Sequence, residues 1–285
     1  MQDAAIIGNG PAGLSAALYL LRAGYSVTVI GKDNGALEKA ELIQNYFGLE
    51  KPISGHQLVE TGKAQVRELG GEVWQDEVVG ISWDGSYTLT TARDQLEARS
   101  IILTTGTSRK MVPIRNLDRL EGKGVSYCAV CDAFLYRGRD VAVLGSGEYA
   151  LHEVRELLPV TGQVTLLTNG AEPSAQFPPE VTVCTTPVRE LSGEDRMEKI
   201  LLADGTSLEA ACLFVALGTA KGSDLARKLG IPLEDNRIVV NEQMSTGLPG
   251  VFAAGDCIGG ILQVSVAVGE GARAALSAIR YLRAG

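Results

Sequence analysis

Residues 4–13 have the sequence AAIIGNGPAG, in which a short apolar run ends in three glycines at the spacing of a dinucleotide-binding turn. The Ala/Leu-rich stretch 14–23 follows without a helix breaker, and residues 25–30, YSVTVI, form a second apolar run. This order predicts a strand, a glycine turn, a helix and a second buried strand. Such a turn presents backbone N–H groups to a pyrophosphate; the alternative is a tight turn without a ligand.

A second copy of this pattern begins far downstream. Residues 141–150, VAVLGSGEYA, combine an apolar run with a glycine turn, and a helical stretch continues through Leu158. Residues 164–167, VTLL, supply the returning strand. The sequence therefore predicts two dinucleotide-type units.

The apolar run 251–256 and the small-residue helix 264–282 are expected to rejoin the N-terminal sheet. The fold class predicted is α/β, with two Rossmann-like domains of the three-layer ββα type, the second inserted into the first. We predict that residues 1–111 and 245–285 form the first domain. Residues 112–244 form the inserted domain.

The composition excludes several classes of protein. The chain has 285 residues, 34 of them glycine, and the glycines follow no fixed period, which excludes a collagen-like structure. The formal net charge of −8 argues against a broad basic surface for nucleic acid. No apolar run approaches the roughly 18 residues of a membrane span, and the first strand begins too early to leave room for a signal peptide. We therefore expect a soluble, cytoplasmic protein that binds neither nucleic acid nor membrane.

The sequence Cys128-Ala129-Val130-Cys131 places two sulfurs one helical turn apart. Such a pair can form a disulfide and pass electrons by thiol exchange. A structural zinc site would need a second pair, which the chain lacks, so no metal is expected; accidental spacing is the other alternative. The remaining cysteines are isolated in apolar runs and are interpreted as small buried hydrophobic residues: Cys184, Cys212 and Cys257.

Asp132 directly follows the second cysteine. A carboxyl group at this position could relay a proton to or from a thiol as the disulfide opens. The alternative roles are a helix N-cap or an ordinary solvated acid.

Four motifs together resemble a known family, the low-molecular-weight, FAD-containing thioredoxin reductases. They are GNGPAG at 8–13, QNYFG at 44–48, GVSYCAVCD at 124–132 and GD at 255–256. The resemblance runs from residue 3 to about residue 283. It implies FAD on the first unit, thioredoxin as the partner and a homodimer.

The resemblance also implies roles for individual residues. Cys131 would face the flavin, Cys128 would attack thioredoxin, and Asp132 would act as the acid and base. Asp256 would reach the ribityl or phosphate region of FAD, with Gln263 and Val264 at the flavin ring. The cofactor-binding residues expected on this basis are Gly8, Gly10, Pro11, Ala12, Gly13, Asn45, Gly106, Gly255, Asp256, Gln263 and Val264.

The second unit departs from the family pattern. The family's inserted domain normally binds NADPH with a His-Arg-Arg sequence after the returning strand, whereas residues 168–173 are TNGAEP. No arginine or lysine occurs between Arg155 and Arg189, although bidentate arginines suit the 2′-phosphate best. Glu148 also opposes an anion at the start of the second helix. NADPH is therefore not expected. NADH has no 2′-phosphate and does not need the arginines, but Glu148 would still disfavour its pyrophosphate.

Relatives of this family that lack the NADPH arginines include thioredoxin reductases that receive electrons from reduced ferredoxin. Residues 109–139 contain seven basic and three acidic side chains, a local charge of +4, which could attract an acidic donor protein. An ordinary solvated face is the alternative. The expected function is reduction of thioredoxin through FAD and the Cys128–Cys131 disulfide, with ferredoxin as donor.

Three other functions stay open from the sequence. The first is a thioredoxin reductase that uses NAD(P)H at an atypical nucleotide site. The second is a small-molecule dithiol oxidase, although such enzymes tend to carry histidine after the cysteine pair, where this chain has Asp132. The third is a non-catalytic flavin protein that senses redox state.

Overall fold

The computed structural model describes residues 1–106, 112–218 and 220–284. The chain divides into two compact units. The first comprises the described residues of 1–109 and 221–285, and the second those of 110–220. The predicted α/β fold with an inserted second unit is confirmed.

The helices and strands follow the chain in three groups. The N-terminal part of the first unit contains β1 (Gln2–Ile7), α1 (Pro11–Arg22), β2 (Val27–Ile30), α2 (Gly55–Glu68), β3 (Glu72–Trp74), β4 (Val78–Trp83), β5 (Tyr87–Thr91) and β6 (Gln95–Leu103). The second unit contains β7 (Val125–Ser126), α3 (Ala129–Asp132), β8 (Val141–Leu144), α4 (Glu148–Leu157), β9 (Val164–Leu167), β10 (Thr182–Cys184), β11 (Val188–Ser192), β12 (Lys199–Leu202), β13 (Ser207–Glu209) and β14 (Leu213–Val215). The chain then returns with α5 (Gly222–Lys228), β15 (Leu233–Glu234), β16 (Arg237–Ile238), β17 (Val251–Ala253) and α6 (Val264–Ala284).

The first unit is built on a parallel sheet in the order β3-β2-β1-β6-β17. Strand β6 is long enough to pair with two strands on the same side of this sheet, because its first half pairs antiparallel with β5 and its second half pairs parallel with β17. The helices α1 and α6 pack together through small residues such as Ala16, Ala274 and Ala278, all fully buried. A Cβ atom on Gly271 would collide with the Ala12 carbonyl oxygen, so glycine permits this close approach.

The second unit repeats the plan with a parallel sheet in the order β10-β9-β8-β14-β7. An antiparallel sheet, β11-β12-β13, provides the other β layer. Helix α4, which connects β8 to β9, packs against the parallel sheet. The predicted helix and strand around the second glycine turn therefore form as expected.

The predicted end of the inserted domain at residue 244 is wrong by about one helix and one hairpin, because residues 221–244 belong to the first unit. The N–H of Gly222 donates to Thr105 Oγ1 at 2.7 Å, and Lys228 Nζ donates to the Val79 carbonyl oxygen at 3.3 Å. Both partners lie in the first unit. The sequence predicted the returning strand β17. Helix α5 and the β15–β16 hairpin carry no sequence pattern that indicates which of the two cores they join.

Candidate functional site

The first glycine turn joins β1 to α1. Gly8 has a φ of 116°, a region that favours glycine, and Gly10 is the N-cap residue of α1, with Pro11 in the first turn. A Cβ on Gly13 would collide with the Gly8 carbonyl oxygen, whereas a Cβ on Gly10 would meet no atom within 4 Å. Gly8 and Gly13 are therefore needed to close the turn, and Gly10 leaves the space in front of the helix open.

The parallel sheet brings two more predicted residues to the same edge. Gly106 follows β6 and Gly255 follows β17, and β1, β6 and β17 are adjacent parallel strands whose carboxyl ends lie together. A Cβ on Gly255 would lie 2.9 Å from the Ala12 side chain. The segment at Gly255 thus packs directly against the first turn of α1.

Asp256 and Glu270 provide the acidic groups of this edge. Glu270 Oε2, from α6, accepts a hydrogen bond of 2.9 Å from the Gly255 N–H. Burial raises the pKa of both the Asp256 and the Glu270 carboxyl groups. Glu270, which sequence reasoning missed, therefore ties α6 to the turn that presents Asp256.

Two further predicted residues meet although they lie far apart in the sequence. Asn45 Nδ2 donates to Gln263 Oε1 at 3.2 Å, and Val264 begins α6 immediately afterwards. Both polar side chains are exposed. The structure therefore brings three of the predicted cofactor-binding residues together, through a contact between positions 218 residues apart.

The residues at the first turn fit FAD. The first turn of α1 contains no acidic residue, and the open space at Gly10 lies where a pyrophosphate would approach the helix start. When bound, FAD supplies a group that can accept single electrons and deliver them in pairs.

Substitution at two of these glycines should separate folding from FAD binding. We expect Gly10→Ala to fold normally but to bind FAD at least about tenfold more weakly, since the new methyl group occupies the open space. Gly13→Ala should instead lower the unfolding free energy by about 2 kcal/mol or more, because backbone must move to relieve the collision. FAD titration of apoprotein and thermal unfolding measure the two effects. Equal effects of the two variants on both measurements would contradict this assignment.

The cysteine pair lies in the second unit, at the start of α3. Cys128 and Cys131 are joined by a disulfide, and the Cys131 N–H is directed at Cys128 Sγ at 3.2 Å. Cys128 is only 3% exposed, whereas Cys131 is exposed. The two sulfurs therefore have different surroundings, which their spacing in the sequence does not reveal.

Asp132 stands before the short 3-10 helix Ala133–Tyr136, but its side chain makes no capping hydrogen bond there; its Oδ2 instead accepts a 2.7 Å hydrogen bond from the Ser126 hydroxyl. The same hydroxyl oxygen accepts the Cys128 N–H at 3.1 Å. Ser126 is buried and links the carboxylate to the backbone of the first cysteine. Sequence reasoning missed Ser126, and only its position two residues before Cys128 could have suggested it.

The three other cysteines differ from the redox pair. Burial raises the pKa of Cys212 and of Cys257 to about 12, so both thiols are inert, as expected of small buried residues. Cys184 is only half-buried, which corrects that part of the prediction. Within the described ranges, no group of three or more His, Cys, Asp or Glu side chains is arranged to hold a metal ion.

The second glycine turn joins β8 to α4 and is covered by the chain itself. The Ser174 N–H donates to the Ser146 carbonyl oxygen at 2.7 Å, and the Ser174 hydroxyl donates to the same oxygen at 3.1 Å. A Cβ on Gly147 would lie 3.3 Å from Ser174 Oγ. Glu148 occupies the first turn of α4. Ser174 thus lies against the turn at which a dinucleotide would bind in a domain of this type.

Two basic residues of the predicted patch, Arg109 and Lys110, lie outside the described residues. Arg115 faces Glu190, with 3.9 Å between the charged atoms, and Arg119 donates to the carbonyl oxygens of Gly193 and Glu194. The remaining basic residues of the patch are exposed: Lys123, Arg137 and Arg139.

Of the helices that the structure describes, none has both the length and the hydropathy to cross a membrane.

This combination of two Rossmann-like units, a glycine turn suited to FAD and a CxxC disulfide defines a class of flavin-linked disulfide oxidoreductases. The sequence matches the profile of the pyridine nucleotide-disulphide oxidoreductase family over residues 2–271. The chain belongs to this family and, within it, to the thioredoxin reductases. Thioredoxin reductases of this family are FAD flavoproteins, and FAD is the cofactor.

Individual relatives align over almost the full chain. Thioredoxin reductase from Aquifex aeolicus is 32% identical over 98% of this chain and 93% of its own length. The atypical thioredoxin reductase TRi from Desulfovibrio vulgaris Hildenborough is 40% identical, with a TM-score of 0.93, over 100% of this chain and 99% of its own. A ferredoxin-flavin thioredoxin reductase from Clostridium acetobutylicum is 33% identical, with a TM-score of 0.76 and the same coverage.

Proposed function

We propose that the protein is a flavin-dependent thioredoxin reductase that receives electrons from reduced ferredoxin instead of NADPH. The observation that carries the choice of donor is the altered second glycine turn. A 2′-phosphate needs charge-assisted hydrogen bonds, and the segment between Arg155 and Arg189 contains no cationic side chain to donate them. Glu148 lies in the first turn of α4, and Ser174 packs against the glycine turn.

FAD would be held by the first unit. The N–H groups at the start of α1 would bind the pyrophosphate. Asp256 would reach the ribityl or phosphate region, where its carboxylate can accept hydrogen bonds from ribityl hydroxyl groups. Gln263 and Val264 would contact the ring, with Asn45 beside Gln263. The remaining contacts would come from the glycine-rich strand ends: Gly8, Gly10, Pro11, Ala12, Gly13, Gly106 and Gly255.

The surroundings of the cysteine pair support thioredoxin as the partner. Three apolar side chains next to the disulfide are well exposed, Val130 at 58%, Phe134 at 72% and Leu135 at 67%. Exposed apolar side chains of this kind mark protein-binding surfaces. In the proposed reaction Cys128 attacks thioredoxin and Cys131 faces the flavin. Because Cys128 is buried in this conformation, its thiol must become accessible once the disulfide opens.

The exposed basic residues around the pair support an acidic donor. Lys123, Arg137 and Arg139 lie on the same unit as the disulfide and would attract an acidic protein at low ionic strength. The solved ferredoxin-flavin thioredoxin reductase is a further reason to choose this donor. We also propose that the enzyme is a cytoplasmic homodimer, which rests on the family resemblance.

Asp132 is the proposed proton donor and acceptor for the pair. We expect Asp132→Asn to lower the rate of thioredoxin reduction about 100-fold, because the amide cannot carry the proton. The amide oxygen can still accept the Ser126 hydrogen bond, so the local structure should persist. The measurement is steady-state reduction of thioredoxin with a chemically reduced donor.

Asp195→Asn is the matched control for that substitution, since Asp195 is exposed on the same unit. It should change the rate less than twofold. A rate for Asp132→Asn within threefold of wild type would remove Asp132 from the mechanism.

The donor is tested by anaerobic addition of reduced ferredoxin, NADPH and NADH in parallel, with the flavin spectrum as the readout. Rapid bleaching by ferredoxin alone is expected. Bleaching by either nucleotide at a rate that supports turnover would overturn the proposal.

A further inference from the structure

Glu153 is a buried acid for which the reaction described so far has no use. It lies in α4, the helix that follows the second glycine turn, and it is 1% exposed. A buried carboxylate is costly unless its oxygens have hydrogen-bond partners. Its contacts therefore indicate what it does.

Glu153 Oε2 accepts a 2.6 Å hydrogen bond from the Ala129 N–H. Ala129 is the residue directly after Cys128 and the first residue of α3. On the other side, Ser126 Oγ accepts the Cys128 N–H. Two buried side chains thus hold consecutive peptide N–H groups at the first cysteine, and a short bond to a carboxylate is among the stronger hydrogen bonds.

The carboxylate is also expected to act on the sulfur through its charge. Glu153 Oε2 is 2.6 Å from the Ala129 nitrogen, one residue beyond Cys128, so a negative charge on this carboxyl should disfavour a thiolate at Cys128. A disulfide carries no such charge, so Glu153 raises the free energy of the reduced pair relative to the oxidised pair. A dithiol whose thiolate is less stable is a stronger reductant.

We infer that Glu153 is a positioning residue that holds the backbone at Cys128 and keeps the Cys128–Cys131 pair strongly reducing toward thioredoxin. The inference rests on the proposed reduction of thioredoxin and does not depend on the donor.

Reduction of thioredoxin transfers two electrons and two protons from the cysteine pair. The reduced pair carries two electrons and two protons more than its disulfide. One cysteine thiolate attacks the thioredoxin disulfide, forms a mixed disulfide and releases the first thioredoxin sulfur. The second cysteine thiolate then closes the Cys128–Cys131 disulfide and releases the other sulfur. Both released sulfurs take up the protons, so thioredoxin gains two electrons and two protons, and Glu153 gains or loses none.

Tyr136 and Cys212, two other titratable groups of this unit, do not reproduce this effect. Burial raises the pKa of Tyr136 and of Cys212, which are hydrogen-bonded to each other, and both stay uncharged up to pH 9. On α4, the hydroxyl of Tyr149 donates to the Tyr127 carbonyl oxygen. Asp132 contributes its charge equally in wild type and in every Glu153 variant.

The test is Glu153→Gln in the FAD-loaded protein, because glutamine can accept the Ala129 hydrogen bond without carrying a charge. The pair is equilibrated anaerobically in dithiothreitol redox buffers at pH 7 and pH 9, and the dithiol fraction is measured by alkylation and mass spectrometry. We expect a shift toward the dithiol of about three- to tenfold at pH 9 and a smaller shift at pH 7, where less thiolate forms. Agreement with wild type within twofold at both pH values, or a shift toward the disulfide, would overturn the inference.

Two further variants complete the experiment. Glu156→Gln makes the same charge change at an exposed position of α4 and should match wild type. Glu153→Asp keeps the charge but shortens the reach, so its equilibrium should stay within twofold of wild type while thioredoxin reduction slows. A shift by Glu153→Asp as large as that of Glu153→Gln would refute the charge argument. Neither ferredoxin nor thioredoxin enters the equilibrium, so this result is separate from the test of the donor.

Discussion

Cys128→Ser and Cys131→Ser should each lower thioredoxin reduction by at least about 1,000-fold, because a single thiol cannot open and close a disulfide. Both variants should keep their FAD, since the glycine turn that fits FAD belongs to the first unit and the pair belongs to the second. The measurements are thioredoxin reduction and the flavin absorbance of the purified protein. A non-catalytic redox sensor would show no thioredoxin reduction even in wild type.

Cys184→Ser is the matched control, because Cys184 is a half-buried free cysteine in the same unit. It should change the rate less than twofold. Either redox variant retaining a tenth of the wild-type rate would contradict the proposed disulfide chemistry. The Cys131→Ser variant also tests the assignment of roles, since its remaining Cys128 should form the mixed disulfide with thioredoxin.

Reduced ferredoxin should bleach the flavin within seconds, whereas a large excess of NADPH or NADH should leave its spectrum unchanged over minutes. Hydrogen bonds to charged groups each contribute about 1.5–3 kcal/mol, so losing two arginine contacts weakens NADPH binding by about 100-fold or more. Glu148 weakens the binding of either nucleotide further, since it opposes the pyrophosphate.

Ionic strength provides the control for the ferredoxin reaction. If the exposed cations Lys123, Arg137 and Arg139 attract the donor, raising the salt concentration from about 50 to 300 mM should slow ferredoxin-driven reduction several-fold. Reduction by dithionite, which does not need a protein-binding surface, should change much less. Equal salt effects on both reactions would argue against a basic docking surface.

Much of the fold could be predicted because its determinants are local. The run AAIIGNGPAG places a strand, a turn and a helix in order, and its counterpart at 141–150 does the same. These patterns depend on hydrophobic periodicity and on glycine, which act within a few residues. The end of the inserted unit could not be predicted, because α5 joins the first unit through contacts with Thr105 and Val79, over 100 residues away.

The site divides in the same way. By itself, the sequence determined the two glycine turns, the CxxC pair with its aspartate, and the lack of arginines after β9, since each is a property of neighbouring residues. Only the tertiary structure decided that Asn45 meets Gln263, that Ser174 covers the second turn, and that Glu153 binds the backbone beside Cys128. The physical reason is that these contacts join segments far apart in the sequence. Such segments meet only when the apolar cores of the two units pack. A buried carboxylate or hydroxyl then takes whichever N–H group the packing places within reach.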